Sequence, residues 1–385
     1  MNPTATGALV MPHRFPSVSL LMMTLLTLVL GACAGRPGPE VLSPVAATVP
    51  GARLVTVYVA TTRERNSPGQ NVFTSGRAPN LNYAEFTISI PPGHGTGEIE
   101  WPGAAPDPAT SFVTVHQTSL DEATFRKKVG SRAAQGHRDV SVFVHGYNTN
   151  FQEALFRLAQ LSADMQPHSV PVLFAWPSEA AVSGYVADKD AVTYSRDYLA
   201  HVLSTLAGER SVRDVMVVGH SMGAWLTMET LRQLRLQGRD GALKGLHVVL
   251  SAPDIDVDVF RTQLSAIGPM SPPLTILVSK DDRALAASSR LSGGRERVGR
   301  LDVADPRVQE VARRADVRVI DISTLSASDT LNHSRFVTFA AVYSRIMADG
   351  SRGDPLRQAG AFVLNAAGTV LATPFHLSGR ALAGE

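Results

Sequence analysis

Read for its apolar and polar positions, the chain changes pattern three times. An apolar run over residues 18–30 comes first, and a Pro-, Ala- and Gly-rich stretch over residues 34–50 follows it. Three alternating or apolar runs come next, at residues 55–60, 84–90 and 111–116. Turn formers such as Pro91-Pro92-Gly93 separate them, so they predict strands. After Asp139 short β-branched runs alternate with long helical periodicities. The runs at residues 140–144, 172–175, 215–218, 247–250, 274–278 and 317–322 predict strands. The intervening patterns at residues 151–164, 191–206, 223–236, 257–266, 306–314 and 334–347 predict helices. Continuous apolar strands between helices are the signature of a parallel sheet covered on both faces.

The ends of the chain read differently. The run over residues 18–30 is short for a membrane span, follows His13-Arg14 and is trailed by small residues, which is the layout of a signal peptide. The segment Leu30-Gly31-Ala32-Cys33 resembles a bacterial lipobox, which implies a lipid on Cys33 and a stable membrane anchor. Ala34, where an aspartate retains many lipoproteins at the inner membrane, implies placement in the cell envelope at the outer membrane. The expected organisation is a signal with lipobox over residues 1–33, a flexible tether over 34–50, a catalytic domain over 51–348, and a C-terminal extension over 349–385, lying on the surface or disordered. Met1 and Met11 both remain open as the start. Cys33 is the single cysteine, so no internal disulfide framework or multi-cysteine metal site is possible. A net charge of +2 with 18% charged residues excludes a broad nucleic-acid-binding surface and points to a small, mostly uncharged partner.

Chemistry enters after the strand at residues 215–218. Gly219-His220-Ser221-Met222-Gly223 joins that strand to an amphipathic helix, the G-x-S-x-G context in which a sharp turn exposes a serine hydroxyl. A serine needs a histidine base and an orienting carboxylate. In the fold that carries this turn the chain order is Ser, acid, His, which leaves His333, at the entry of the last helix, and His376, in the tail. For the acid, Asp281 and Asp282 follow the strand at residues 274–278, and Asp254 follows the preceding one. Asp282 is preferred because a helix starts at Ala284-Leu285, with Asp281 and Asp254 as alternatives. His145-Gly146-Tyr147 at the end of the strand over residues 140–144 is placed to give one oxyanion N–H, from Tyr147, and Met222 the other. His145 is expected to brace this loop, and Trp176 and Tyr185 either line the pocket or pack.

These pieces resemble a bacterial branch of the α/β-hydrolase superfamily. The resemblance is carried by Tyr58-Val-Ala-Thr-Thr-Arg63, Phe143-Val-His-Gly-Tyr-Asn148, Phe174-Ala-Trp-Pro-Ser178, Gly219 to Gly223, Ala252-Pro-Asp-Ile-Asp256 and Asp282-Arg-Ala-Leu285. It implies an α/β-hydrolase fold, expected as a mostly parallel central sheet with helices on both faces and N-terminal antiparallel strands; only about one helix fits between Pro253 and Leu274, so no large cap domain is expected. It also implies a triad of Ser221, Asp282 and His333; acyl transfer on such a triad needs no cofactor, and no H-E-x-x-H, cysteine pair or P-loop points to a metal or nucleotide. The function expected is cleavage of carboxylic esters, the substrate a small ester or acyl compound. Thioesterase, amidase and acyltransferase activities use the same triad, and a non-catalytic envelope-binding lipoprotein is the alternative of another class.

Overall fold

The computed structural model describes residues 36–46, 49–136, 138–165, 169–348 and 362–364. Compact packing divides the chain into Met1–Gly38 and Pro39–Glu385, and the second unit carries the fold. Its strands in chain order are β1 (Arg53–Arg65), β2 (Phe73–Ile90), β3 (Val113–Leu120), β4 (Asp139–Val144), β5 (Ser169–Ala175), β6 (Asp214–His220), β7 (Leu246–Ser251), β8 (Thr275–Val278), β9 (Arg318–Asp321) and β10 (Phe362–Leu364). They form one sheet in the order β10-β9-β8-β7-β6-β4-β5-β1-β2-β3. From β1 to β9 every neighbouring pair is parallel, while β2, β3 and β10 are antiparallel additions.

The helices are α1 (Glu122–Ala134), α2 (Phe151–Asp164), α3 (Tyr185–Ala207), α4 (Met222–Leu236), α5 (Asp240–Lys244), α6 (Val257–Ile267), α7 (Arg283–Leu291), α8 (Pro306–Arg314) and α9 (Arg335–Ala348). Successive strand side chains point to opposite faces, so the sheet divides the interior into two cores. Val55, Val57 and Val59 of β1 join α2 and the start of α9, whereas Tyr58 and Ala60 join α1, α3 and α4. Between Pro253 and Leu274 there is only α6, which leaves no room for a cap at that connection.

One expectation about the ends is corrected. Part of the stretch expected to be a tether is docked: Pro39–Leu42 forms a 3-10 turn with Val41 and Leu42 buried. Val45 N–H donates to Thr114 O at 2.8 Å, and Gln117 Nε2 to Leu42 O at 3.0 Å. Two buried aliphatic side chains on the strand edge outweigh the Pro/Gly composition of the segment. Within the C-terminal extension, residues 362–364 form an edge strand, β10, which pairs with β9 through Phe362↔Asp321 and Leu364↔Val319. Helix α1 answers to no predicted element: its apolar face is only Phe125, Val129 and Ala133 among polar residues. Cys33 and His376 lie outside the described residues.

Because β4 lies between β5 and β6, the chain leaves β4 toward one side of the sheet and returns on the other. Such a switch opens a crevice at the carboxyl ends of the strands, where ligands bind in open α/β sheets.

Candidate active site

Strand β6 ends at His220 and helix α4 begins at Met222, so Ser221 alone makes the turn. It does so at φ 56°, ψ −119°, a conformation that costs an ordinary residue energy and persists only where packing imposes it. The packing is visible at the flanking glycines. A Cβ on Gly223 would lie 2.3 Å from the carbonyl oxygens of both Val144 and His145, and one on Gly219 would lie 2.8 Å from Ala224 Cα. Helix α4 therefore meets the end of β4 backbone to backbone. Met222 N–H, at the first position of α4, has no intrahelical acceptor and is free for a ligand.

The loop after β4 closes on the same turn, since a Cβ on Gly146 would come within 3.0 Å of Ser221 Cβ. His145, 1% exposed, braces this loop from below. Its Nδ1 is 2.9 Å from Gly146 O and its Nε2 is 3.1 Å from Trp176 O. Burial, aided by the charge of Arg63, lowers its pKa to about 3. The ring is thus neutral, carries one proton and donates to one of these carbonyls at a time. Trp176 packs rather than lining a pocket: it is fully buried, stacks on the His145 ring at 4.8 Å, and its Nε1–H donates to His145 O at 2.7 Å.

His333 precedes α9 and lies beside the Ser221 turn. Its ring is 4.6 Å from that of His220, the residue before Ser221, and His220 Nε2 is 3.3 Å from His333 O. Burial, and then the charge of His333, hold His220 well below the ordinary imidazole range. A neutral His220 donating Nε2–H to that carbonyl steadies the backbone of the candidate base. His333 Nδ1 lies 2.7 Å from Asp282 Oδ2. Burial opposes protonation of His333, but the hydrogen bond and charge of Asp282 outweigh it and raise the pKa. Asp282 is fully buried. Its other oxygen accepts Leu285 N–H at 2.9 Å, so one carboxylate caps α7 and holds the imidazole.

The alternative acids are engaged elsewhere. Asp281 Oδ2 accepts from Asn332 Nδ2 at 3.0 Å and from Arg335 Nη2 at 2.8 Å. The Arg335 hydrogen bonds lower its pKa to about 2. Asp254 accepts from Ser288 Oγ at 2.5 Å and Tyr185 Oη at 3.1 Å. Arg297 Nε pairs with it at 3.3 Å. Tyr185 is thereby fixed under the Tyr147 ring, edge to face at 5.3 Å. Sequence reasoning passed over two residues beside the site. Asp329 accepts His333 N–H at 3.0 Å. Asp188 sits beneath the β4 loop, and its one signal is a carboxylate in the apolar stripe of α3.

A family model described as an α/β hydrolase of unknown function, DUF900, matches residues 121–350. The chain belongs to that α/β-hydrolase family. The match spans the elements that carry Ser221, Asp282 and His333. A Nostoc sp. (strain PCC 7120) protein named as uncharacterized is 24% identical over 202 residues, 46% of this chain and 50% of that protein, so the chain spans about half the length of this relative. A solved structure from Agrobacterium vitis S4, named a "putative hydrolase", is similar at 13% identity and a TM-score of 0.29, covering 59% of this chain and 86% of that one. Among the described residues no cluster of His, Cys, Asp and Glu is arranged to hold a metal ion, and no helix is long and apolar enough to cross a membrane.

Proposed function

We propose that this hydrolase cleaves carboxylic esters through an acyl-enzyme on Ser221. The observation that carries the reading is the conjunction at one sheet edge of a strained serine turn and a buried Asp282 held 2.7 Å from the partly buried His333. In this mechanism Ser221 Oγ attacks the ester carbonyl carbon while His333 Nε2 takes its proton. The N–H groups of Tyr147 and Met222 hold the oxyanion. Collapse of the tetrahedral species breaks the bond to the alcohol, which leaves with the proton from His333. Water then repeats the sequence on the acyl-enzyme and releases the acid. Asp282 keeps the proton of the resting imidazole on Nδ1, so Nε2 is the free base.

An uncharged acyl compound suits the surroundings. Val182 and Val186 are 78% and 73% exposed and Leu331 is 49% exposed. Tyr147 Oη bonds to Val182 O, and Leu331 stands two residues before His333. A lipid on Cys33 would hold such a site near membrane-derived esters.

The test is active-site labelling. Wild type should react with a fluorophosphonate at one residue and hydrolyse p-nitrophenyl esters. Ser221→Ala should lose both while keeping its circular dichroism and Tm, since only a hydroxyl is removed. Labelling that survives the substitution rules out Ser221 as the nucleophile.

A further inference from the structure

Three buried polar residues on the active edge have no part in the triad: Arg63 at 2% exposure, and Ser178 and Asp188 at 0%. All three converge on the loop at residues 147–150. Arg63 donates to Thr149 O at 2.9 Å, to Ser178 O at 3.2 Å and to Thr74 O at 3.1 Å. Ser178 Oγ donates to Asp188 Oδ2 at 2.6 Å and lies 3.3 Å from Thr149 N and 3.2 Å from Ala180 N. Asp188 Oδ1 accepts Glu179 N–H at 2.7 Å, and its Oδ2 accepts Asn148 N–H at 3.3 Å.

That last contact bears on chemistry. Asn148 stands at φ 55°, in the left-handed region, directly after Tyr147. The peptide joining them is held on both sides: Thr149 Oγ1 donates to Tyr147 O at 3.1 Å, and Asp188 takes the Asn148 N–H. The preceding peptide has its carbonyl, Gly146 O, at 2.9 Å from His145 Nδ1. A trans peptide is planar, with its N–H opposed to its C=O. Drawing Gly146 O toward His145 therefore turns Tyr147 N–H the other way. Drawing Asn148 N–H down to Asp188 stops the next peptide from flipping its carbonyl into the same space.

We propose that Asp188 is a positioning residue for the oxyanion hole, holding the Tyr147–Asn148 peptide so that Tyr147 N–H stays available, with Ser178 and Arg63 fixing Asp188 and the far end of the loop. The proposal rests on the acyl-transfer reading and deepens it. Burying a carboxylate is expensive unless hydrogen bonds satisfy it, and here two of the bonds are to backbone N–H groups flanking the site.

Asp188→Asn tests it, because both carboxylate oxygens accept from N–H groups and an amide accepts with only one. The Ser178 hydroxyl can reverse and accept from the new NH2, so the bond lost is that of Asn148. Loss of an oxyanion donor costs about 10²–10³ in kcat, and misalignment should cost roughly 10- to 100-fold with KM changed less than about threefold. Rates are taken per fluorophosphonate-reactive serine. A boronic acid that forms a tetrahedral adduct on Ser221 should lose affinity by the same factor as kcat. Ser178→Ala, which keeps the Asp188 charge, serves if Asp188→Asn does not fold, and should show a smaller loss of about 3- to 10-fold in both readouts. A variant with lower Tm but unchanged kcat and boronate affinity has lost only stability and overturns the proposal. Wild type without Ser221-dependent ester hydrolysis overturns the acyl-transfer reading, and the clamp with it. Wild type with that activity and unaffected variants overturns the clamp alone.

Discussion

Asp281 and Asp282, adjacent in the chain, hold the His333 segment by different parts: Asp282 takes the imidazole Nδ1 at 2.7 Å, while Asp281 binds Asn332 and Arg335 on either side of it. The division follows from exposure. The Asp282 side chain is fully buried and Asp281 is 48% exposed, so only the first acts where water does not compete for the imidazole.

The three candidate acids should therefore fail differently. Asn caps a helix about as well as Asp, so Asp282→Asn should keep α7 and the fold. Its loss should fall on turnover, on the order of 10²–10⁴-fold in kcat with little change in KM. Asp281→Asn should cost less than about tenfold, because backbone contacts still hold the loop. Asp254→Asn should act on stability, by about 3–5 kcal/mol, since it leaves the buried Arg297 without its counter-charge. Steady-state kinetics beside thermal melts separates the three. A larger kinetic loss at Asp281 or Asp254 than at Asp282 would move the acid.

The pH profile gives an independent reading of the same pair. His333 acts as a base only when neutral, so kcat/KM should fall as pH drops through its pKa. With that pKa raised above the ordinary 6.5, the acid limb should lie above pH 6.5. In Asp282→Asn the raising influence is reduced and burial remains, so the residual activity should show its acid limb at lower pH. A limb that stays in place would mean another group controls it.

The parallel sheet was legible because its strands are continuous β-branched runs and its helices repeat every three to four residues. The serine turn was legible because the two close backbone approaches at Gly219 and Gly223 admit no side chain, which leaves a pattern in sequence. Asp188 and Arg63 left no comparable pattern: each stands among other polar residues, Lys189 and Asp190 beside the first and Thr62 and Glu64 beside the second, and its partners come from distant segments. Pro39–Val45 was misread for a related reason, as composition reports chain stiffness but not the two side chains that find a buried edge. The roles of Asp254 and Asp281 could not be separated by sequence either, since each follows a strand and only the direction of the side chain distinguishes them.

The anchor is tested by Cys33→Ser. Lipidation needs the thiol, and several acyl chains bind a bilayer stably where one binds weakly. Wild type should partition with the outer-membrane fraction and incorporate labelled palmitate, and the variant should do neither. A wild type found in the soluble fraction, or a variant that stays membrane-bound, would remove the lipid anchor from the reading.

A second histidine between carboxylates makes a prediction about stability alone. His94 Nδ1 lies 2.9 Å from Glu100 and its Nε2 lies 3.2 Å from Asp164, while Asp164 also accepts Gly97 N–H at 2.8 Å. The cluster ties the loop after β2 to α2. Burial opposes the charge on His94, but the two carboxylates raise its pKa. Burial likewise opposes the Asp164 anion, and the His94 hydrogen bond and its other donors lower its pKa. A raised histidine stabilises fully below its ordinary 6.5 and loses that effect as pH rises through the folded value. A depressed aspartate stabilises fully above its ordinary 3.8 and loses the effect as pH falls through its folded value. The cluster is therefore strongest between these ordinary values. His94→Gln should lower stability by about 1–3 kcal/mol at pH 5 and by much less at pH 9, with kcat per labelled serine unchanged. Denaturant melts of both proteins at the two pH values measure the difference. An equal loss at pH 5 and pH 9 would show that His94 contributes by packing against Phe112, whose ring lies 5.2 Å away, and not by charge.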